Sequence, residues 1–259
     1  MIKFIGRGSA FNTKEGNNSM LYVDKNTNNY YLFDCGYTTF ERINEENICD
    51  IWDKANKIVI FLSHRHPDHI GGVMDMLFIA HFIKKIPVSV VSPDEKIPEL
   101  FTLLGVTDDL YEFISPDELD TDNVSDTMKY QDERVELYFK RTTHTATMPA
   151  YEMFFRLINE YAICYYSGDS NSVTIDNIVT TSDNLFGKMP DKMYIEVSYF
   201  EYKGSPHNYY GTFDKCVDEY CAKNNILKSD LQDRIRFMHI DDDRLISVLS
   251  EMNYKIVEK

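Results

Sequence analysis

One stretch of the sequence decides the fold: Ser63-His64-Arg65-His66-Pro67-Asp68-His69-Ile70-Gly71-Gly72. It contains three of the chain's seven histidines and follows the apolar run 57–62, which is typical of a buried central strand. Imidazole nitrogens and carboxylate oxygens are ligands that zinc and manganese accept. Alternate residues of an extended loop point the same way, so His64 and His66 are expected to bind one metal ion. Asp68 and His69, near a helix start, are expected to reach a second ion, and the two glycines let that helix pack close behind the site.

Hydrophobic patterning elsewhere indicates a mixed α/β chain. Strands are predicted over residues 19–24, 30–34, 86–91, 134–141, 152–157, 161–166, 192–197 and 234–240. Helices are predicted over about 70–85, for about a dozen residues from Pro93, over 213–223, and after Asp242 to the end of the sequence. Strands precede helices in each half, which favours two packed sheets with helices outside, an αββα sandwich in a single domain of residues 1–259. The acidic stretch 117–126 is predicted to be an exposed connection.

Composition and charge restrict the class of partner. The 259 residues carry a formal net charge of −15, and hydrophobic residues make up 43% of them, enough for a full core. Proteins that bind long nucleic acids usually present a basic face, because neutralising phosphates supplies much of the affinity. No basic patch of that size is visible, so a large nucleic-acid partner is not expected. A small phosphorylated ligand that meets a metal ion remains compatible with this charge.

The sequence also predicts a cytoplasmic protein without a membrane contact. Residues 1–6 read as a short strand and a glycine turn rather than a secretory signal, and no apolar run approaches the about 18 residues of a membrane span. Five cysteines are present, without a C-x-x-C pair. We interpret Cys35 and Cys164, in apolar strand-like runs, as buried free thiols in a reducing compartment.

The pattern H-x-H-x-D-H-x-x-G at residues 64–72 resembles the signature of the metallo-β-lactamase superfamily. That superfamily places a third histidine, a bridging aspartate and a last histidine at later strand ends. His144, Asp169 and His239 match those positions in order and placement, so the resemblance runs the length of the chain. It implies the metallo-β-lactamase fold.

The same resemblance implies a ligand set for two metal ions, zinc or alternatively manganese. One ion would be held by His64, His66 and His144. The other would be held by Asp68, His69 and His239, with Asp169 bridging both. Such a pair lowers the pKa of a shared water and stabilises the charge that develops on the attacked group.

Further features are similar to the tRNase Z-like phosphodiesterases of this superfamily. The opening stretch 4–19, with its glycine loop, and the Asp34-Cys35-Gly36 segment suit that branch, and Ser-Gly-Asp-Ser at 167–170 is close to its Ser-Gly-Asp-Thr. Bridging Asp169 and the histidine at 69 argue against true β-lactamases. Glyoxalase II and lactonases keep the same ligands, so the ligand set alone does not exclude them.

A further histidine suggests how a leaving group is protonated. In tRNase Z-like enzymes a glutamate motif is followed by a histidine that protonates the leaving oxygen. By that resemblance Glu196 would hold and polarise His207, His207 would act as general acid, and both would be catalytic together with Asp68. Two departures stand beside the match: Ile195 replaces that family's histidine, and the segment 208–210, Asn-Tyr-Tyr, replaces its Ser-Thr.

The chain most resembles the anti-Pycsar phosphodiesterases of phages and bacteria, which share this layout without the basic tRNA-docking arm. The resemblance implies a homodimer that hydrolyses cyclic AMP, GMP, CMP and UMP to nucleoside monophosphates and evades host immune signalling, in the host cytoplasm where a phage encodes it. Three alternatives stay open: a tRNase Z-like RNA 3′-processing nuclease, an ester, thioester or lactone hydrolase for which His207 would be dispensable, and a non-enzymatic metal-sensing module. An intact set of seven ligands disfavours the last, since a structural zinc needs only four.

Overall fold

The computed structural model describes residues 2–45, 50–118 and 126–259, without the side chain of Glu118. It divides into two compact units, residues 1–116 with 258–259, and residues 117–257. The prediction of a single domain is not tested by this division and stays a prediction. The predicted connection over 117–126 begins with a short strand, Asp117–Glu118, and its residues 119–125 lie outside the described part, as does Cys49.

The described residues of the first unit form a six-stranded mixed sheet in sequence order. Its strands are β1 (Ile2–Gly6), β2 (Ser19–Asp24), β3 (Asn29–Phe33), β4 (Lys57–Phe61), β5 (Val88–Val91) and β6 (Glu112–Ile114). The first three strands pair antiparallel, and β3 to β6 pair parallel. The central strand β4 reads Lys-Ile-Val-Ile-Phe and is buried after its first residue, as its continuous apolar run predicts. Because β3 and β4 are parallel neighbours, their carboxyl ends lie side by side.

Helices of the first unit pack on this sheet around an apolar core. They are α1 (Tyr37–Glu45), α2 (Ile51–Lys54), α3 (Pro67–Ile70), α4 (Val73–Phe78) and α5 (Ile97–Leu103), with a π-helical turn, Ile79–Lys84, continuing α4. Buried Leu32 and Ile60 of the sheet belong to the same core cluster as Met76 and Leu77 of α4. This packing fixes where the metal-binding motif lies, because the motif connects β4 to α3.

The second unit contains, in its described part, an eight-stranded mixed sheet in the order β14-β13-β12-β11-β10-β9-β8-β7. The strands are β7 (Asp117–Glu118), β8 (Thr127–Gln131), β9 (Val135–Thr142), β10 (Ala150–Leu157), β11 (Ala162–Tyr166), β12 (Lys192–Glu196), β13 (Ile235–Met238) and β14 (Lys255–Ile256). Strands β7 to β11 pair antiparallel, and β11 to β14 pair parallel. The parallel part brings the carboxyl ends of β11, β12 and β13 to one edge.

Four helices are described in the second unit: α6 (Ile175–Phe186), α7 (Tyr210–Asn224), α8 (Lys228–Gln232) and α9 (Asp243–Glu251). Their apolar faces bury residues such as Ile178, Phe213 and Leu245 against strand residues such as Ile195 and Phe237. Asp242 caps α9, accepting from the backbone N–H of Arg244 at 2.9 Å. The predicted α/β class is confirmed.

Three helix predictions are wrong in detail. The single helix predicted over 70–85 is interrupted, because the N–H of Gly72 donates to the carbonyl of Cys35 at 2.9 Å. The helix predicted from Pro93 begins only at Ile97 and has seven residues. The last helix ends at Glu251, since Asn253 adopts a left-handed φ of 62° before strand β14 joins the sheet.

The described cysteines agree with the expected free thiols. Cys35 and Cys164 are buried and unbridged, and burial raises the pKa of both thiols, that of Cys164 to about 12. None of the helices described in 2–45, 50–118 and 126–259 is long and apolar enough to cross a bilayer.

Candidate metal centre and acid–base pair

The histidine motif of the first unit is an extended connection that ends in helix α3. His64, Asp68 and His69 are buried, and His66 is half-buried. The Nε2 atom of His64 and the Nδ1 atom of His66 lie 2.9 Å apart, and the Nε2 atom of His69 lies 3.4 Å from Oδ2 of Asp68. Neighbouring ligand atoms of a tetrahedral site with bonds of about 2.0–2.1 Å lie about 3.3 Å apart. Each pair therefore has a spacing close to that of two ligands on one ion.

Asp34 supports this motif, and the sequence analysis assigned it no role. It is fully buried at the end of β3. Its Oδ1 accepts from the backbone N–H of Ser63 at 2.8 Å, while its Oδ2 accepts from the Ser63 hydroxyl and lies 2.8 Å from Nδ1 of His69. A carboxylate that engages Nδ1 leaves Nε2 of the same ring available to a metal ion. The segment Asp34-Cys35-Gly36 after a buried strand is the sequence signal that marks it.

A second buried carboxylate engages the residue between the two histidines. Arg65 Nε donates to Oδ2 of Asp94 at 2.5 Å, and the Asp94 side chain is only 4% exposed. Asp94 in turn accepts from the backbone N–H of Lys96 at 3.1 Å. This ion pair ties the motif to the segment that follows β5.

Close backbone packing behind the motif requires glycine, as the sequence predicts. A Cβ atom on Gly72 would lie 2.5 Å from the carbonyl oxygen of Gly36. A Cβ atom on Gly36 would lie 2.0 Å from the carbonyl oxygen of Asp68. Both contacts are far below van der Waals separation, so α3 and α4 approach the end of β3 only without these side chains.

In the second unit, the predicted site residues follow the parallel strands. Asp169 follows β11, Glu196 ends β12 and His239 follows β13. With His207, from the connection between β12 and α7, they offer four ligand-type atoms that all lie within 4.8 Å of one another. Asp169, Glu196 and His239 are buried, and His239 adopts a left-handed φ of 57°, which is uncommon outside glycine.

The two oxygens of Asp169 face two different imidazoles. Oδ1 lies 3.3 Å from Nε2 of His239, and Oδ2 lies 3.8 Å from Nε2 of His144. His144 engages the carbonyl of Pro206 through its Nδ1 at 2.9 Å, which leaves Nε2 for a metal ion. The donor set of carboxylate and imidazole suits zinc and manganese, and a carboxylate with one oxygen toward each histidine is the arrangement that a bridging ligand needs.

Glu196 and His207 form a hydrogen-bonded pair. Nδ1 of His207 lies 3.0 Å from Oε2 and 3.1 Å from Oε1 of Glu196, whose Oε1 also accepts from the backbone N–H of Ser170 at 2.8 Å. Burial opposes charge on both groups, but their mutual attraction outweighs it. It lowers the pKa of the Glu196 carboxyl and raises the pKa of the His207 imidazole. The pair therefore favours the carboxylate and the imidazolium, and an imidazolium is an acid poised near neutral pH.

Each unit thus brings together a different subset of the predicted site residues. The first unit brings together His64, His66, Asp68 and His69, and the second brings together His144, Asp169, Glu196, His207 and His239. Assignment of these ligands to two separate ions stays a prediction. Asp34, Pro206 through its carbonyl, and Asp94 are the contacts that spacing along the sequence does not reveal.

Curated relatives match part of this chain. It is 36% identical to ribonuclease Z of Staphylococcus carnosus over 97 residues, 36% of this chain and 30% of that protein. It is 33% identical to anti-Pycsar protein Apyc1 of Bacillus phage BSP38 over 82 residues, 32% of this chain and 30% of that protein. The matches thus span less than a third of the relatives' own length.

Three solved structures each match 97–100% of the chain. The short form of human tRNase Z is 15% identical with a TM-score of 0.68, covering 100% of this chain and 96% of that one. The metallo-β-lactamase fold protein YhfI of Bacillus subtilis is 16% identical with a TM-score of 0.69, covering 97% and 91%. Unliganded yeast PDE1 is 11% identical with a TM-score of 0.65, covering 98% and 94%. These similarities confirm the predicted metallo-β-lactamase fold.

The family model described as anti-Pycsar protein Apyc1 matches residues 1–258. That match covers both units and every residue that the sequence places in the site. It also agrees with the resemblance drawn from the histidine motif, the Ser-Gly-Asp-Ser segment and the glutamate–histidine pair. The chain belongs to the anti-Pycsar Apyc1 family.

Proposed function

We propose that this protein is a metal-dependent phosphodiesterase that hydrolyses cyclic mononucleotides to nucleoside monophosphates. The observation that carries the proposal is the pair formed by Glu196 and His207, 3.0 Å apart and in the same cluster as Asp169 and His239. A charged imidazole close to the proposed metal ligands suits phosphodiester cleavage. The departing ribose oxygen is a poor leaving group unless it receives a proton, and the imidazolium can donate one. Membership in the Apyc1 family supports the same reaction class.

The proposed metal ligands are those that the resemblance implies. One ion would be bound by His64, His66 and His144, and the other by Asp68, His69 and His239, with the two oxygens of Asp169 shared between them. Zinc is the proposed metal, with manganese as the alternative that the same ligands accept. When bound, the two ions would activate the attacking water and offset the charge on the phosphate.

The chain's own groups account for the proton on the leaving group. Hydrolysis joins a water oxygen to phosphorus and breaks the bond between phosphorus and the 3′ oxygen of the ribose. His207, charged and partly exposed, would pass its proton to that oxygen from Nε2, because Nδ1 is engaged by Glu196. Glu196 would remain ionised throughout and keep the ring in this orientation.

The size and charge of the chain favour a small substrate. A net charge of −15 repels a long polyanion, whereas one phosphodiester needs only the ions and a proton donor. Cyclic AMP, GMP, CMP and UMP are the proposed substrates. We further propose a cytoplasmic homodimer, located in the host cytoplasm where a phage encodes it, whose activity removes cyclic-nucleotide immune signals.

A hydrolysis panel tests this proposal. Purified protein with zinc or manganese is incubated with each of the four cyclic mononucleotides, a 3′-extended tRNA, bis(p-nitrophenyl) phosphate, a thioester and a lactone. Ring opening of cyclic nucleotides with intact tRNA is the expected result, and it also gives the base preference. Cleavage of tRNA alone would identify an RNA-processing nuclease instead. Turnover of only the thioester or lactone would contradict the proposal and remove the need for His207.

A further inference from the structure

Asn208 directly follows His207 and is buried, with 9% of its surface exposed. Its backbone N–H donates to the carbonyl of Ser170 at 3.1 Å, and its own carbonyl accepts from the N–H of Ser198 at 2.7 Å. Its side-chain Nδ2 donates to the carbonyl of Val173 at 3.2 Å. The backbone N–H, the backbone carbonyl and the side-chain Nδ2 of Asn208 are thus each hydrogen-bonded to the backbone of a buried residue.

These partners belong to the segments that carry the acid–base cluster. Ser170 follows Asp169 and donates its N–H to Glu196, and Ser198 lies two residues beyond Glu196. Ser198 also forms an isolated parallel bridge with Tyr209, and its carbonyl accepts from the N–H of residue 210 at 3.1 Å. Through its hydrogen bonds, Asn208 therefore attaches the connection that carries His207 to the segments that follow β11 and β12.

We propose that Asn208 is a positioning residue that holds His207 in register with Glu196 and the leaving group. This inference rests on the proposed role of His207. Between Ser198 and Tyr209, which form that isolated bridge, the connection contains no helix or longer strand that would fix the histidine. The amide side chain of Asn208 adds a hydrogen bond to a distant segment, because Val173 lies 35 positions earlier along the chain. It acts beside two other non-local contacts of this connection, Asn171 Nδ2 with the carbonyl of Ser205 and His144 Nδ1 with the carbonyl of Pro206.

An isosteric change isolates this hydrogen bond. Asn208→Asp keeps the shape of the side chain, but it replaces the donor with an oxygen that faces the Val173 carbonyl. Two acceptors at about 3 Å repel each other, so the segment would move away. Asn224→Asp is the matched control: the Nδ2 of Asn224 also donates to a backbone carbonyl, that of Tyr220 at 2.9 Å, but at the exposed end of α7.

Two substrates with different leaving groups distinguish positioning from general damage. A cyclic nucleotide releases an alkoxide that needs the proton of His207, whereas bis(p-nitrophenyl) phosphate releases a phenolate that leaves unaided. We expect Asn208→Asp to lower kcat for the cyclic nucleotide roughly 10- to 100-fold, as a misplaced catalytic group does, and to change kcat for the nitrophenyl ester less than about 2-fold. Asn224→Asp should change neither rate. Equal losses on both substrates, or no loss on either, would overturn the inference.

Hydrogen exchange supplies a readout that does not need turnover. In the metal-loaded protein, Asn208→Asp should accelerate exchange in peptides that cover residues 198–210 and leave the bound metal content unchanged. If the unchanged protein hydrolyses no cyclic nucleotide, the proposed function fails, and the exchange result still decides whether Asn208 holds the His207 segment. Unaltered exchange in that segment would overturn the inference whatever the substrate.

Discussion

Oδ2 of Asp34 lies 2.8 Å from Nδ1 of His69, although 35 positions separate the two residues. The contact exists because β3 and β4 are parallel neighbours, so the residues that follow them meet at one edge of the sheet. Asp34 is fully buried and sits in a left-handed backbone conformation with φ of 57°. A buried carboxylate that is hydrogen-bonded to Ser63 and lies against Nδ1 of His69 is placed to orient that histidine.

We expect Asp34→Asn to weaken metal binding about 10- to 100-fold, because losing a carboxylate behind a histidine ligand reduces affinity by that much in other metal sites. The amide would also turn a donor toward Ser63 or His69 and lower the free energy of unfolding by about 1–3 kcal/mol. Competition with a chromophoric chelator measures the affinity, and urea denaturation measures the stability. Asp108→Asn, at an exposed position of the same unit, is the control. If the two variants bind the metal ion with equal affinity, Asp34 does not orient the histidine.

The sequence predicts the metal ligands of the motif but not the carboxylates that contact it, and the reason is physical. His64, His66, Asp68 and His69 are close along the chain, so a local pattern reveals them. Asp34 and Asp94 meet the motif only through strand pairing, and each lies on a different connection. Asp34 precedes Cys-Gly after a buried strand, but nothing in this local segment indicates that its carboxylate contacts His69.

Helix boundaries failed where tertiary contacts override periodicity. The apolar pattern over residues 70–85 is helical, but the backbone of Gly72 is diverted to bond with Cys35. Helix α6 was not predicted, although Thr174 caps its start and Gly187 adopts the left-handed conformation that ends it. Strands fared better: β2 matches its predicted bounds, and the others from β3 to β13 that were predicted differ at their ends. A buried strand in a sheet is marked by its own run of apolar residues.

Loss of a ligand to the second ion should remove metal and activity together. Asp68→Ala and His69→Ala each remove a buried side chain that is proposed as a ligand. Oδ2 of Asp68 and Nε2 of His69 lie 3.4 Å apart. We expect the bound metal to fall from two ions per chain to one, with at least a 100-fold loss of turnover, because the remaining ion would lack the partner that helps to activate the water and to offset the phosphate charge. Elemental analysis after gel filtration gives the count. Asp53→Ala, whose side chain is 69% exposed, should keep both ions. Full activity with one ion would sink the two-metal mechanism.

Removal of the proposed general acid should spare the metals. We expect His207→Ala to lower kcat for cyclic nucleotides about 10²- to 10⁴-fold, the usual contribution of a positioned acid. Metal content should be unchanged, because His207 is not among the seven proposed ligands. His81→Ala is the control: that histidine lies in the π-helical turn after α4 with its ring 4.8 Å from that of Phe82, and its loss should leave the rate unchanged. Unchanged turnover in His207→Ala would show that the acid role is wrong.

A buried carboxylate away from the site gives the stability a predictable pH dependence. The Glu136 side chain, 7% exposed, accepts from the Tyr138 hydroxyl at 2.7 Å and pairs with Lys129 at 2.9 Å and with Arg156. Burial favours its neutral form, but these partners outweigh burial and lower the pKa of the Glu136 carboxyl. Its contribution to stability is therefore complete above the ordinary pKa of a glutamate, and it is lost as the pH falls through the lowered pKa.

Glu136→Gln should accordingly destabilise the protein by about 1.5–3 kcal/mol at pH 7, the usual contribution of hydrogen bonds to a charged group. The difference should shrink between pH 7 and pH 3, because the stability that the charged carboxyl contributes is lost as the pH falls from the ordinary pKa of a glutamate through the lowered pKa of Glu136. Urea denaturation at both pH values measures it. Glu133→Gln, with a side chain 90% exposed, should change the free energy of unfolding little at either pH. If Glu136→Gln lowers the free energy of unfolding equally at pH 7 and pH 3, the shape of the Glu136 side chain, rather than its charge, stabilises the protein.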